Sequence, residues 1–174
     1  MKGFSISFTL GKASSVHGGN VEHNNRDFIA KNVDSNKTKE NILYKAQDIE
    51  AAYHELFDAA VADYNSKKSR PSRRINNYYE HIRDGRREEV YYETIVQFGS
   101  VHDAPCGSER GEVAKKMLDD YMKNFQKRNP NLHVFNAVLH MDEASPHLHI
   151  DFIPFYTTGR TNGLSKGVSM KAAL

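Results

Sequence analysis

The sequence predicts an α+β, two-layer (α/β) fold: an antiparallel β-sheet with helices packed on one face. Three observations predict it. Apolar residues alternate with polar ones near the N-terminus and again in two segments near the C-terminus, the period of half-buried strands. Two intervening segments carry apolar residues at the 3.6-residue helical period. The alternating segments also sort into one apolar face and one mixed face, as in an antiparallel sheet covered on one side.

In residues 3–10, Phe4, Ile6, Phe8 and Leu10 alternate with Ser5, Ser7 and Thr9, which makes a strand. Residues 11–20 read as a loop broken by Gly18, Gly19 and Asn20, followed by the polar cluster Glu22, His23, Asn24, Asn25, Arg26 and Asp27. Residues 31–40 are polar linker. Residues 42–64 give the clearest helical pattern, with Ile42, Ala46, Ile49, Tyr53, Leu56, Phe57, Ala60, Val61 and Tyr64 on one side. A basic stretch broken by Pro71 follows, then a short helix over 75–83 that ends near Asp84 and Gly85. Residues 89–98 are rich in Val, Tyr, Thr and Ile and read as a strand. A loop with Pro105 and Gly107 leads into a second amphipathic helix over 111–126, which Pro130 stops.

Residues 132–141 and 147–155 are two further strands, joined by turn-forming residues 142–146. On the first, Phe135, Ala137, Leu139 and Met141 share one face and Val134, Asn136, Val138 and His140 the other. On the second, Leu148, Ile150 and Phe152 are opposed to His147, His149, Asp151 and Ile153. The histidines therefore fall on the mixed, working face of the sheet. The chain ends as residues 165–174 begin to look helical, which suggests a longer parent protein whose C-terminal part is absent.

At 174 residues the chain is long enough for one domain with a real core. No apolar run approaches the ~20 residues of a membrane span, and no secretory signal is visible. The single Cys106 excludes an intramolecular disulfide and fits a reducing, cytoplasmic compartment. The net charge of +2 is unevenly spread: residues 67–87 hold eight Lys or Arg against Glu80 and Asp84. That concentration points to a polyanionic partner.

The chemistry concentrates in residues 140–149, which read H-x-D-E-x-x-P-H-x-H. A hairpin here brings the imidazoles of His140, His147 and His149 together, a site for a divalent metal with coordination positions left open. Mn²⁺, Mg²⁺, Zn²⁺ or another divalent ion could be held there. Asp142 or Glu143 is placed to accept a ligand N–H or to complete the shell. Pro146 and the strand alternation argue against a helical metalloprotease motif.

This motif resembles that of HUH relaxases, in particular the Mob/Pre (MobV) family of plasmid mobilisation and recombination enzymes. His23-Asn24-Asn25-Arg26 is similar to the family's H-N-x-R motif, and Arg73-Arg74-Ile75-Asn76-Asn77-Tyr78 to its second, Asn-Tyr motif. The match runs from about residue 3 to the end. Two departures are the acidic Glu80, where the second motif ordinarily has Leu, and a helical segment at about 40–66 that looks inserted.

The resemblance implies an HUH relaxase-like fold and a metal-dependent, site- and strand-specific DNA-nicking transesterase. Its substrate would be an origin of transfer, as single strand with adjacent duplex or hairpin, in a bacterial cytoplasm with accessory transfer proteins as further partners. It implies His23 as nucleophile, forming a covalent link to a DNA 5′-phosphate; Arg26 of the same motif and Glu143 of the hairpin are the other candidate catalytic residues. Tyr44 is the alternative nucleophile, since other HUH relaxases use tyrosine. Arg26 is expected either to clamp phosphate or to pair with Asp27. Lys67, Lys68, Arg70, Arg73, Arg74, Asn77 and Tyr78 are the expected DNA contacts, the cations on phosphates and Tyr78 on a base or in the core. Two other readings stay open: an HUH-like DNA-binding module without cleavage, and a different three-histidine metallohydrolase.

Overall fold

The computed structural model describes residues 3–13, 20–85 and 87–174, so most of the loop expected before residue 20 lies outside the described residues. The elements, in chain order, are β1 (Ile6–Lys12), α1 (Val21–Asn24), β2 (Ile42–Ala46), α2 (Ile49–Ser66), α3 (Tyr78–Gly85), β3 (Tyr92–Phe98), α4 (Glu109–Lys123), α5 (Phe125–Arg128), β4 (Leu132–His140), β5 (His147–Thr157), β6 (Lys166–Val168) and α6 (Met170–Ala173). The strands form one antiparallel sheet in the order β1-β3-β5-β4-β2, with β6 paired to the far end of β5.

The sheet's apolar face forms the larger core. Val96, Phe98, Leu132, Val134, Ala137, Leu139, Leu148, Ile150 and Phe152 pack there against Ala114 and Leu118 of α4, Phe125 of α5 and Ala173 of α6. Each fully buried aliphatic or aromatic side chain of this kind contributes about 1.5–3 kcal/mol by leaving water. The central strand β5 is buried along most of its length because it has neighbours on both edges and helices above.

The opposite face is mixed, as expected, but it is not bare throughout. At the end remote from the histidines, α2 and α3 cover it with a second core of Ala52, Tyr53, Phe57, Val61 and Tyr78 over Phe135, Ile153 and Val168. The histidine end of that face stays free of long helices.

Two local readings change. The helix expected over 42–64 is a strand followed by a helix. Ile42 and Leu43 pair with Leu139 and Val138 of β4, and the helix starts only after Asp48, whose Oδ1 accepts the backbone N–H of Ala51 at 2.9 Å. The N-cap and the β-favouring residues Ile42 and Tyr44 outweigh a helical period that is continuous across both segments. The segment expected as an insertion thus supplies an edge strand of the sheet and a wall of the second core.

The second change is a β-bulge in β4. The register shifts between Val134 and Asn136, leaving Phe135 as the extra residue. Strict alternation puts Phe135 with Ala137 and Leu139. The bulge instead delivers Val134 to the larger core and Phe135 to the second core under α2.

Candidate metal centre

The β4–β5 hairpin pairs His140 directly with His147, and His149 follows one pleat along on the same face. The ring centroids are 5.1 Å apart for His140–His147, 4.9 Å for His140–His149 and 5.0 Å for His147–His149. One nitrogen from each lies within 4.8 Å of the others, which is close enough for a single ion.

Which nitrogen each ring offers follows from what the other nitrogen faces. His140 Nε2 lies 2.8 Å from the backbone oxygen of Asn24 and must carry its proton, leaving a lone pair on Nδ1. His147 Nδ1 lies 2.8 Å from the backbone oxygen of Ser145, leaving a lone pair on Nε2. His149 Nδ1 lies 2.7 Å from Glu93 Oε1, and its buried Nε2 has no hydrogen-bond partner among the described residues. His140 Nδ1 and His147 Nε2 are 3.3 Å apart, so two lone pairs face each other unless a cation or proton intervenes. A proton is disfavoured: burial, then the charge of His149, pushes His140 down to about 2 and His147 down to about 4. The donor set therefore fits a divalent ion, with all three ligand tautomers fixed by outer partners.

Behind the triad is a buried polar network that sequence reading did not assign. Asn24 is 1% exposed, and its Nδ2 donates to Glu93 Oε1 at 2.8 Å and to Asp151 Oδ2 at 3.2 Å. Asn136 Nδ2 also donates to Asp151 Oδ2, at 2.9 Å. Burial would raise the Glu93 carboxyl, but its bonds to His149 and Asn24 hold it below the ordinary value. Asp151 is pushed up to about 7 by burial and by the nearby charge of Glu93. The only local signal for Glu93 was one acid inside an apolar strand. Its role depends on the β3–β5 register, which pairs it with Asp151.

His23 stands in front of the triad. Its ring centroid is 6.2 Å from that of His140, and its Nε2 is 3.5 Å from Glu143 Oε1 and 3.3 Å from Arg26 Nη1. Glu143 bridges the two groups of histidines: Oε1 is 3.7 Å from His140 Nδ1, and Oε2 is 3.8 Å from His147 Nε2. Asn32 Nδ2 and Arg26 Nη2 each donate to it at 2.8 Å.

Arg26 is neither an open phosphate clamp nor a partner of Asp27. Its side chain is 7% exposed and forks onto Asp142, with Nε to Oδ2 at 3.0 Å and Nη2 to Oδ1 at 2.6 Å. A planar guanidinium suits this bidentate grip, which consumes the donors a phosphate would need. Asp142 is fully buried and also accepts from Thr38 at 3.0 Å and Asn41 at 2.8 Å. Burial alone would raise its carboxyl; these donors hold it far below the usual carboxylate range. Asp142 lies near enough to His140 and Glu143 to join a second ligand group, but its four accepted bonds make it an anchor for the loops around the hairpin.

Tyr44 is on the other side of the sheet. Its ring packs against the larger core, and its hydroxyl donates to Asp119 of α4 at 2.9 Å. Burial first, then Asp119, raises its pKa well above the ordinary value, so the geometry and the acidity both separate it from the histidines. The basic residues Lys67, Lys68, Arg70, Arg73 and Arg74 follow α2, at the second-core end. Lys67 pairs with Asp63 at 2.6 Å, Lys68 lies 4.3 Å from the centre of the Tyr64 ring, and Arg74 Nε donates to the backbone of Lys68. The last two expected DNA contacts also have partners within the fold. Asn77 caps α3 by accepting from the backbone N–H of Glu80 at 3.1 Å, and Tyr78 is buried with its hydroxyl accepting from Val168 N at 3.2 Å.

A family model described as Mob_Pre, plasmid recombination enzyme, matches residues 30–166, a span that contains the hairpin but begins after His23 and Arg26. A solved structure of the MobM relaxase domain (MOBV; Mob_Pre), described as bound to plasmid pMV158 oriT DNA and Mn at pH 5.5, superposes with a TM-score of 0.56 at 20% identity, over 96% of this chain and 75% of that one. Another, with DNA carrying a 3′-thiophosphate at pH 6.8, gives 0.50 at 19% identity, over 99% and 77%. At these identities the likeness establishes the shared fold. No curated protein sequence matches the chain.

Proposed function

The chain belongs to the Mob_Pre family of plasmid recombination enzymes, and on that footing we propose that it is a relaxase: a metal-dependent endonuclease that nicks one strand at the origin of transfer of a mobile element and stays attached to the 5′-phosphate. The observation that carries this reading is the convergence of His23, across Glu143, on three imidazoles whose lone pairs point at one place. MobM, which has this fold, was solved with Mn and oriT DNA. We take Mn²⁺ as the first choice of ion and an origin-of-transfer strand as the substrate, with Mg²⁺ the next choice.

His140, His147 and His149 would hold the ion, which supplies charge neutralisation on the non-bridging oxygens of the scissile phosphate. Glu93 and the backbone oxygens of Asn24 and Ser145 keep the three rings turned toward it. His23 attacks phosphorus with the lone pair of a ring nitrogen. A P–N bond forms, the P–O3′ bond breaks, and the 3′ oxygen leaves as a hydroxyl after taking a proton from solvent. Positive charge that develops on the His23 ring is met by Glu143, 3.5 Å away. Arg26 holds Glu143 and the backbone oxygen of His23 together, so it positions the nucleophile. The phosphoramidate conserves the energy of the phosphodiester, and attack by a 3′-hydroxyl restores the strand. Lys67, Lys68, Arg70, Arg73 and Arg74 would neutralise more distant phosphates in a salt-dependent way.

The test is incubation with single-stranded origin DNA and Mn²⁺, followed by denaturing electrophoresis. The wild type should form an SDS-stable, acid-labile adduct with the 5′-phosphate fragment. His23→Ala should lose the adduct and retain Mn²⁺ binding. An adduct that survives in His23→Ala would overturn the nucleophile, and a wild type that binds DNA and Mn²⁺ without cleavage would overturn the relaxase reading.

A further inference from the structure

We infer that Phe28 is the stacking platform for the base next to the scissile phosphate, a substrate-contacting residue of the same site. The inference rests on the relaxase reading above and names the contact that would hold the strand in line with His23.

Phe28 is 45% exposed and its neighbour Ile29 is 61% exposed. A single exposed apolar side chain is ordinary on any surface. What sets Phe28 apart is its position: its ring centroid is 5.8 Å from that of His23, tilted 47°. Among the described residues it is paired with no other aromatic ring. The ring thus lies beside the candidate nucleophile while much of it faces solvent.

The backbone reaches this position through a strained turn. Arg26 has φ 60, the only positive φ among the described non-glycine residues, in the left-handed region that side chains disfavour. The strain is held by the Arg26 fork on Asp142, by Arg26 N to His23 O at 3.1 Å and by Asp27 N to Glu22 O at 2.9 Å. A helical continuation of α1 would carry residue 28 along the helix axis. The reversal at Arg26 instead folds Phe28 back beside His23. A backbone conformation held by several contacts, the Arg26–Asp142 fork among them, fixes where the residues after it are placed.

The occupant follows from the substrate. A phosphate attacked by His23 must lie beside that ring, so a flanking base falls within about one nucleotide of Phe28, whose ring centroid is 5.8 Å from that of His23. Every base offers a flat π-face, so an exposed phenyl ring can fix the strand without reading its sequence. Base identity at this position should therefore matter little, and the presence of a base should matter much.

The chain has no tryptophan, so Phe28→Trp introduces one indole that can be excited selectively. With metal-free protein, an origin oligonucleotide spanning the nick should quench its emission. An abasic site beside the nick should remove the quench, whereas exchanging that base for another should keep it. Phe28→Ala should weaken oligonucleotide binding roughly ten-fold or more and leave Mn²⁺ affinity unchanged. Phe28→Leu should lose binding similarly, because bulk does not replace a ring, and Phe28→Tyr should retain it. If wild type and Phe28→Ala form adduct and bind DNA equally well, and the indole ignores the abasic site, the inference is overturned while the relaxase reading stands. If the indole responds to the base but no variant, wild type included, forms adduct, the relaxase reading falls and the stacking contact stands.

Discussion

Replacing Asn24 with Ala should destabilise the metal-free protein by about 3.5–5 kcal/mol, and the structure shows where that sum comes from. The Nδ2–Glu93 bond, at 2.8 Å and buried, is a bond to a carboxylate, a class worth about 1.5–3 kcal/mol. The bond to Asp151, at 3.2 Å and shared with Asn136, contributes about 1 kcal/mol. Deleting a side chain that is 1% exposed adds a cavity term of about 1 kcal/mol. The backbone oxygen of Asn24 is untouched, so His140 keeps its outer partner. The damage should travel through Glu93 to His149, and losing the orientation of one ligand should weaken Mn²⁺ binding about 10–100-fold. Urea unfolding of the metal-free protein reads the first quantity, and Mn²⁺ titration followed by electron paramagnetic resonance reads the second. An Asn24→Ala protein that stays within about 1 kcal/mol of wild type and binds Mn²⁺ as tightly would refute the reasoning, because the network would then be idle.

Three further outcomes are expected. Burial pushes His147 down to about 4, and His140 lower still, so on their account the unfolded chain binds more protons and metal-free stability should fall as pH drops from about 6.5 toward 4; Asp151, pushed up to about 7, acts in the opposite sense, so unfolding midpoints of Asp151→Asn should fall more steeply over this range than those of the wild type. Tyr44→Phe should leave adduct formation at the wild-type rate and cost about 1 kcal/mol of stability through the lost bond to Asp119; loss of the adduct in a folded Tyr44→Phe protein would reinstate tyrosine as nucleophile. Arg26→Lys keeps the charge but cannot fork onto Asp142, so single-turnover nicking at saturating Mn²⁺ should slow at least ten-fold with DNA affinity little changed; a matching fall in DNA affinity would mean that Arg26 clamps phosphate after all.

The histidine hairpin was legible because everything it needs is local. Period-two parity puts His147 and His149 on one face, and the turn residues 142–146 return His140 beside them. Features that depend on distant pairing were not legible. Glu93 acquires meaning only from the β3–β5 register, and Asn24 only once α1 docks across β4 and β5. The strand Ile42–Ala46 hid because its apolar residues continue the period of the helix that follows, and only Asp48 marks the join. The bulge at Phe135 leaves no pattern in the sequence, because either parity offers an apolar residue to a core. Arg26 and Tyr78 look like ligand-facing residue types. Asp142 captures the first and the aromatic core under α2 captures the second.

Helix α1 is only four residues long and carries His23 into the site. Too short to be stable alone, it is held through Asn24 to His140, Glu93 and Asp151, and through Arg26 to the hairpin loop. His23 and the three clustered histidines therefore share one set of contacts, and on the proposed function metal and DNA would bind to a single connected unit. Whatever factor bound metal gives to the affinity for DNA, bound DNA must return to the affinity for metal. If the proposed metal and DNA sites are coupled at all, a DNA strand that tightens the metal site would therefore be held more tightly by the metal-loaded protein, and by the same factor.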